Sequence, residues 1–213
     1  MPKFAVKVTA MEPEPYAFAP TIRVHLNVAE STGAQIHAMV LKTMVRIEPQ
    51  KRRYSPEEEG HLAEVFGEPS RWGETLKPFL LAEIATVIPA FAGSCDIVIP
   101  LSFTYDLEVA AGKYFHGLSD GEIPLVLLFS GTVFSTIGPR LAVEPIPWSL
   151  EANYRLPVSV WQATMDHHFP ASGWLRLPRH TIDDLGKFKS TQALATWEEA
   201  IGVLLKHAGE DDG

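Results

Sequence analysis

Alternating apolar and polar positions predict a series of β-strands over the first 150 residues. Strands are expected at 4–8, 78–89, 97–111 and 123–137. The segment 97–111 alternates regularly, which is typical of a strand with one wet face. The segment 123–137 is a longer apolar run, rich in β-branched and aromatic residues. That composition favours a central place in a sheet.

The clearest pattern is a pair of strands at Thr21–Glu30 and 35–48, separated by the four residues 31–34. Pairing across this short connection would place Leu26 opposite Met39 and the two apolar sets on one face. The opposite face carries polar side chains and is expected to be at least partly wet. We therefore predict that the two strands form a β-hairpin.

Helix signals occur within the strand-rich part. Ser55, Pro56 and Glu58 have the spacing of an N-cap, a first-turn proline and a capping-box glutamate. They predict a short helix at 56–66.

Three more helices are predicted after residue 150. Pro157 begins the first and Pro170 ends it, and Thr181 has the position of an N-cap for the second. An apolar stripe over 194–208, followed by Gly209 as a C-cap, predicts the third.

Together these elements predict a mainly β protein with added helices. The expected architecture is an antiparallel β-sandwich, immunoglobulin-like or related, with a helical C-terminal segment packed on it. Residues 1–150 form the sandwich, with the inserted helix near 56–66, and residues 151–213 form the helical segment, docked as part of one domain. The strand order and the oligomeric state are left open.

Composition narrows the class of protein. The chain has 213 residues, of which 46% are apolar and 21% charged, as in ordinary globular proteins. A net charge of −8 argues against a protein that coats nucleic acid. The N-terminus lacks the apolar run of a signal peptide, and the longest apolar segment is too short to span a membrane. With one cysteine, Cys95, the chain fits a reducing compartment, so a cytoplasmic protein is expected.

The charge is unevenly distributed. Residues 1–53 carry eight basic and four acidic side chains, for a net +4. The remaining ten basic and 22 acidic side chains give −12. Solvated loops and tails produce such a division routinely. The alternative is a bipolar surface that orients a protein partner.

Motifs for known chemistries are missing. The chain has no Gly-x-Ser-x-Gly elbow, no phosphate-binding Gly-rich loop and no paired cysteines. Cys95 is expected to be a small packing residue, not a nucleophile. Asp166, His167 and His168 are adjacent, and neighbouring helix positions diverge by about 100°, so they do not converge on one ion. No catalytic residue, cofactor or metal is predicted, which favours a protein that is not an enzyme.

One small-molecule alternative is kept open. Tyr105, Tyr114, His116 and Trp161 could supply aromatic and polar lining for a pocket between the sheet and the C-terminal helices. The chain would then be a small-ligand-binding protein or an enzyme.

Several stretches resemble a known family. They are Arg71-Trp-Gly-Glu-Thr-Leu-Lys-Pro78, Pro89-Ala-Phe-Ala-Gly93, Thr104-Tyr-Asp-Leu-Glu-Val-Ala-Ala111, Lys113-Tyr-Phe-His-Gly-Leu118, Asp120-Gly-Glu-Ile-Pro-Leu125 and Leu128-Phe-Ser-Gly-Thr-Val-Phe134. The chain is similar to an uncharacterised, mainly actinobacterial family catalogued as a domain of unknown function. Members of that family are associated with gene clusters for nickel-iron hydrogenases.

The resemblance implies a non-enzymatic accessory or interaction protein. Its role would be to assist assembly or maturation of a nickel-iron hydrogenase, with hydrogenase subunits or their maturation factors as protein partners. The chain lacks the histidine-rich tract or Cys-x-x-Cys pair of nickel-handling accessories. Direct metal delivery is therefore not part of the expectation.

Overall fold

The computed structural model describes residues 3–103, 105–137, 140–170 and 177–210. The chain forms two compact units, which comprise residues 1–171 and 172–213. The strands of the first unit are β1 (Phe4–Pro13), β2 (Thr21–Glu30), β3 (Gln35–Ile47), β4 (Phe79–Ile88), β5 (Phe91–Ala92), β6 (Ser94–Ser102), β7 (Glu122–Ile137), β8 (Arg140–Pro145) and β9 (Glu151–Pro157). Its helices are α1 (Pro56–Phe66), α2 (Trp72–Thr75), α3 (Tyr105–His116) and α4 (Val158–His168).

The strands form two packed antiparallel sheets. The smaller sheet has the order β1-β2-β6, and the larger has the order β4-β3-β7-β8. In the larger sheet β5 also pairs with β3, and β9 pairs with β7. The predicted antiparallel β-sandwich is confirmed. The segment 123–137 is central as predicted, because β7 pairs with three other strands.

The core lies between the two sheets, where β2 and β3 bury alternate residues. The central strands contribute the fully buried side chains Ile22, Val24, Leu26, Val28, Met39, Leu41, Val45, Ile47, Leu125 and Leu127. This period of two is what a sandwich requires, because each sheet has one face on the core and one face toward solvent.

The predicted hairpin is wrong. The strands at Thr21–Glu30 and Gln35–Ile47 exist, but β2 pairs with β1 and β6, whereas β3 pairs with β4, β5 and β7. Leu26 and Met39 therefore lie in different sheets, although both belong to the core. Residues 31–34, here called the crossover loop, carry the chain from one sheet to the other. Two strands that each have one apolar face show the same alternation of apolar and polar residues whether they pair in one sheet or lie in two packed sheets.

The predicted strand at 97–111 is wrong in its second half. β6 ends at Ser102, and α3 begins at Tyr105. Ala111, Tyr114 and Phe115 are buried at the i, i+3, i+4 spacing of a helix face. A helical conformation is required to place these three side chains on one face, and with this face α3 covers the sandwich.

The predicted helix α1 is confirmed. The Ser55 hydroxyl accepts a hydrogen bond from the Glu58 amide at 3.2 Å, and the Glu58 carboxylate accepts one from the Ser55 amide at 3.1 Å. This is the reciprocal capping box that the sequence indicates. After residue 150 the chain first adds β9, and α4 begins only at Val158. The strand-rich part therefore extends beyond residue 150, to Pro157.

The second unit contains α5 (Arg179–Thr191) and α6 (Trp197–Glu210), which contact each other. Helix α5 begins two residues before Thr181, so the predicted N-cap is wrong. Gly209 lies within α6, so the predicted C-cap is wrong as well. The Lys189 ammonium lies 5.6 Å from the Trp197 ring centroid, which joins the two helices.

Candidate functional site

Two of the four predicted pocket residues lie in the core. Tyr114 and Trp161 expose only 1% and 4% of their surface. Trp161 stacks on Phe115 with ring centroids 5.2 Å apart, and the Tyr114 ring makes an edge contact with Phe79 at 5.6 Å. Protein side chains therefore occupy the space around both rings.

The other two residues lie on helix α3. Tyr105 is its first residue, and its side chain lies outside the described residues. His116 is its last residue and is exposed, with its ring centroid 4.9 Å from that of Trp161. The structure thus brings His116 and Trp161 together. Tyr114 contacts Phe115, which lies between the Tyr114 and Trp161 rings.

A chain of buried hydroxyl groups satisfies Tyr114. Its hydroxyl lies 3.1 Å from that of Tyr54, which in turn donates to the Pro49 carbonyl at 2.8 Å. Burial raises the pKa of both phenols, for Tyr114 strongly. Both are therefore neutral donors at physiological pH, with a structural role.

Cys95 is half-buried on β6. Burial raises the pKa of its thiol, and the neighbouring Asp96 charge raises it further. The thiol is therefore protonated at neutral pH, which is the opposite of an activated nucleophile. Among the described residues, no group of three or more His, Cys, Asp or Glu side chains could hold a metal ion.

The most conspicuous surface feature is the loop at residues 14–20, between β1 and β2, here called the aromatic loop. At its tip Tyr16 and Phe18 expose 94% and 106% of their surface. No pattern in the sequence marks these two residues as a site. Large aromatic side chains are usually buried, so a fully exposed pair requires an explanation.

Hydrogen bonds fix the backbone of the aromatic loop at its base. The Glu14 amide donates to the Thr21 carbonyl at 2.8 Å, and the Thr21 hydroxyl donates to the Ala19 carbonyl at 2.8 Å. The Glu14 carboxylate accepts from the Tyr16 amide at 3.2 Å. Pro15 and Pro20 restrict the chain further.

Helix α4 holds the tip of the loop through two consecutive histidines. His167 Nε2 donates to the Pro15 carbonyl at 2.7 Å, and His168 Nε2 lies 3.1 Å from the Ala17 carbonyl. His168 Nδ1 also lies 3.0 Å from the Thr164 carbonyl one turn earlier. The two accepting loop carbonyls flank Tyr16 on either side. The adjacent residues His167 and His168 therefore hold this loop in place.

The charges at the base of the loop are paired. Arg23 Nη2 lies 2.8 Å from the Glu12 carboxylate, and Arg23 Nε lies 3.5 Å from the Glu14 carboxylate. His25 Nε2 lies 3.0 Å from Glu12 as well. Residues 10–20 contain no lysine or arginine. The aromatic loop thus has an apolar tip above a base in which two glutamates share one arginine.

None of the described helices is long and apolar enough to cross a membrane. The fold and this surface define a β-sandwich protein that displays two aromatic side chains on a held loop. The chain belongs to a family of unknown function, DUF6084, whose profile matches residues 1–213. No curated protein matches the chain.

Similar solved structures are distant. The β-glucosidase of Kluyveromyces marxianus, in complex with glucose, is 10% identical over 73% of this chain and 15% of that chain, with a TM-score of 0.25. β-Glucosidase 3B of Thermotoga neapolitana, in complex with α-D-glucose, is 11% identical over 72% of this chain and 17% of that chain, with a TM-score of 0.23. The chain thus spans less than a fifth of those enzymes, and likeness at this level carries no functional argument.

Proposed function

We propose that this chain is a non-enzymatic interaction protein that binds a protein partner through its aromatic loop. The observation that carries the proposal is the full exposure of Tyr16 and Phe18 on a fixed backbone. The half-buried thiol of Cys95, which is protonated at neutral pH, agrees with a role outside catalysis.

Energetics support a binding role for the two rings. Full burial of a side chain of this size is worth roughly 1.5–3 kcal/mol relative to leaving it exposed. Such residues are frequent hot spots of protein interfaces. Because hydrogen bonds already order the loop, less conformational entropy is lost when a partner binds. The two rings could therefore act as anchors for an apolar groove.

The chemistry of the loop favours a protein over other partners. Single-stranded nucleic acids are bound by aromatic residues set in a basic groove. Anionic membrane surfaces are bound by exposed aromatics flanked by lysine or arginine. Residues 10–20 carry glutamates and no basic residue. An apolar groove on a protein is the partner that this loop fits best.

The family resemblance suggests the identity of the protein partner. We propose that the partner is a nickel-iron hydrogenase subunit or one of its maturation factors, and that the chain assists assembly or maturation. This step rests on the resemblance alone. The polarised charge of the sequence, +4 in residues 1–53 and −12 beyond, would help to orient such a complex.

The alternative function, binding of a small ligand in a pocket lined by Tyr105, Tyr114, His116 and Trp161, has weaker support. Tyr114 and Trp161 offer almost no exposed surface to a ligand. A bound ligand would have to displace the aromatic contacts that these rings make with the core.

Affinity capture tests the role of the loop. Tagged wild-type protein, the double variant Tyr16→Ala/Phe18→Ala and the control Trp148→Ala are expressed in cells that make the hydrogenase, crosslinked and captured. Trp148 is 91% exposed in another loop, so its removal deletes a similar ring elsewhere. We expect hydrogenase subunits or maturation factors with the wild type and the control, and at least a thirtyfold loss with the double variant.

Two results would count against the proposal. Equal capture by the double variant and the wild type would exclude the loop as the binding site. Capture of no hydrogenase component by the wild type, together with normal hydrogen uptake after deletion of the gene, would exclude the proposed partner.

A further inference from the structure

A second candidate surface is an open cleft. In contrast to the apolar tip of the aromatic loop, it is lined by several cationic side chains. It has a volume of 610 Å³ and lies beside the N-terminus of α1. Residues 51–55 line one side, and residues 120–122 with Arg155 of β9 line the other. A smaller depression of 340 Å³ shares Lys51 and Arg155 with this cleft. Both volumes lie in the range of small-ligand sites.

Arg52 gives the cleft a fixed wall. Its side chain is 6% exposed and makes an ion pair with Glu58, which is 3% exposed. The Arg52 guanidinium also donates to the carbonyls of Asp120 at 2.7 Å and Glu122 at 3.1 Å. Arg52 therefore ties the entry of α1 to the turn before β7, and Glu58 neutralises its charge.

Three other cations of the cleft have weak or shared partners. Arg155 is exposed, and its nearest carboxylate, Glu122, lies 3.9 Å away. Lys51 lies 3.4 Å from Glu48, whose carboxylate already accepts from Arg46 at 2.6 Å. Arg53 is exposed on the same wall, with no ion pair to the residues that the structure describes.

The balance of charge in the cleft is positive although the chain is acidic. Lys51, Arg52, Arg53 and Arg155 face Glu58, Asp120 and Glu122, for a net +1 in a protein of net −8. Arg52 is paired with the buried Glu58, and Lys51 shares the buried Glu48 with Arg46, whereas Arg53 and Arg155 are exposed. Arginine side chains offer paired N–H donors that match the oxygens of phosphate groups.

We propose that this cleft binds a small phosphorylated molecule, with Lys51, Arg53 and Arg155 contacting its phosphate oxygens. The ion pair of Arg52 and Glu58 fixes the wall of the cleft and so keeps the three cations together. Because Glu58 neutralises Arg52, this pair does not compete with them for the ligand. The inference does not rest on the proposed function of the aromatic loop. The double variant Tyr16→Ala/Phe18→Ala is expected to bind the phosphate probe like the wild type.

Isothermal titration calorimetry with pyrophosphate at low ionic strength tests the site, with citrate as a highly charged probe without phosphorus. The variants are Arg53→Ala/Arg155→Ala and the control Lys7→Ala, which removes an exposed cation of β1. Each altered side chain is exposed, and thermal unfolding checks that each variant folds. We expect saturable binding of pyrophosphate, at least tenfold weaker in the double arginine variant, unchanged in the control and weakened by salt.

The proposal fails if pyrophosphate does not bind below 10 mM, a limit of about 3 kcal/mol by the relation between dissociation constant and free energy. It also fails if the double arginine variant binds as tightly as the wild type. Equal affinity for citrate would overturn the assignment to a phosphorylated ligand.

Discussion

Glu30 is the last residue of β2 and lies at the point where the chain passes from one sheet to the other. Its side chain is only 5% exposed, and its carboxylate accepts four hydrogen bonds. Oε1 accepts from the amides of Lys3 and Thr32 at 3.1 and 2.8 Å and from the Thr32 hydroxyl at 2.5 Å. Oε2 accepts from the Ala34 amide at 2.9 Å. One buried side chain thus orders the crossover loop and binds it to the N-terminal strand.

The same bonds determine the ionisation of Glu30. Burial alone would raise the pKa of its carboxyl group, but the hydrogen bonds from Thr32, Lys3 and Ala34 lower it from 4.5 to about 2. A tenfold difference in proton affinity corresponds to about 1.4 kcal/mol. The fall of the pKa from 4.5 to about 2 therefore contributes at most about 3.5 kcal/mol to the free energy of unfolding.

The substitution Glu30→Gln tests this reasoning. The glutamine carbonyl can keep the three bonds of Oε1, but its NH2 group faces the Ala34 amide, so a donor meets a donor. With the loss of charge, we expect a destabilisation of about 2 kcal/mol at pH 7. The pKa is lowered in the folded state, so this contribution is complete above about pH 4.5 and is lost as the pH falls toward 2.

The assay is urea denaturation at several pH values, followed by the fluorescence of Trp72 and Trp161, which are buried in the same unit. Glu64→Gln is the control, since Glu64 is 73% exposed and makes only a surface ion pair. We expect the difference between the wild type and Glu30→Gln to be constant from pH 7 to 5 and to shrink steadily below. A variant as stable as the wild type at pH 7, or a difference that persists at pH 2, would refute the reasoning.

Two further predictions concern the sandwich itself. In Gly131→Ala, the new Cβ would lie 2.0 Å from the Val40 carbonyl oxygen at a φ of +136°, so we expect thermal unfolding to show a loss of at least about 3 kcal/mol. The control Gly60→Ala lies in α1, where its Cβ would meet nothing within 4 Å apart from the adjoining backbone of its own helix, and we expect a gain of about 0.5–1 kcal/mol. A chain truncated to residues 1–150 loses β9 and α4 and is expected not to fold, whereas residues 1–171 are expected to show cooperative unfolding by circular dichroism. A folded 1–150 fragment would contradict this expectation.

The sequence pattern predicts which residues of a strand are buried but not which strand lies beside it. Leu26 and Met39 are both buried, as predicted, yet they lie in different sheets. The pairing of β2 with β6 joins residues about 70 positions apart, for example Asn27 with Asp96. Only the competition of all strands for partners decides such long-range pairing.

Helix α3 shows why a short segment can be misassigned. The run from Phe103 to Val109 alternates apolar and polar residues, which favours a strand. The next residues, with Ala111, Tyr114 and Phe115 buried, have helical spacing. Helix α3 includes the first run from Tyr105 onward and all of the second, so the longer window, including the helix-forming alanines, gives the correct assignment.

The aromatic loop could not be predicted from local sequence. Tyr16 and Phe18 have no periodicity, and flanking prolines indicate only an irregular connection. What makes them a candidate site is the combination of exposure and a held backbone. The hydrogen bond from His167 to the Pro15 carbonyl spans 152 positions of the chain. No spacing rule connects residues so distant.

The segment from β9 to α4 serves both proposed surfaces and the core at once. Its strand Glu151–Pro157 carries Arg155 to the cationic cleft, and its helix Val158–His168 carries the two histidines to the aromatic loop. Between them Leu156, Val158 and Trp161 are buried. Since burial of these apolar side chains fixes the segment, the same hydrophobic contacts that stabilise the sandwich also position the polar groups of both surfaces. Substitutions at the exposed ends of the segment can therefore change binding without loss of the fold, whereas substitutions at its buried centre are expected to affect both.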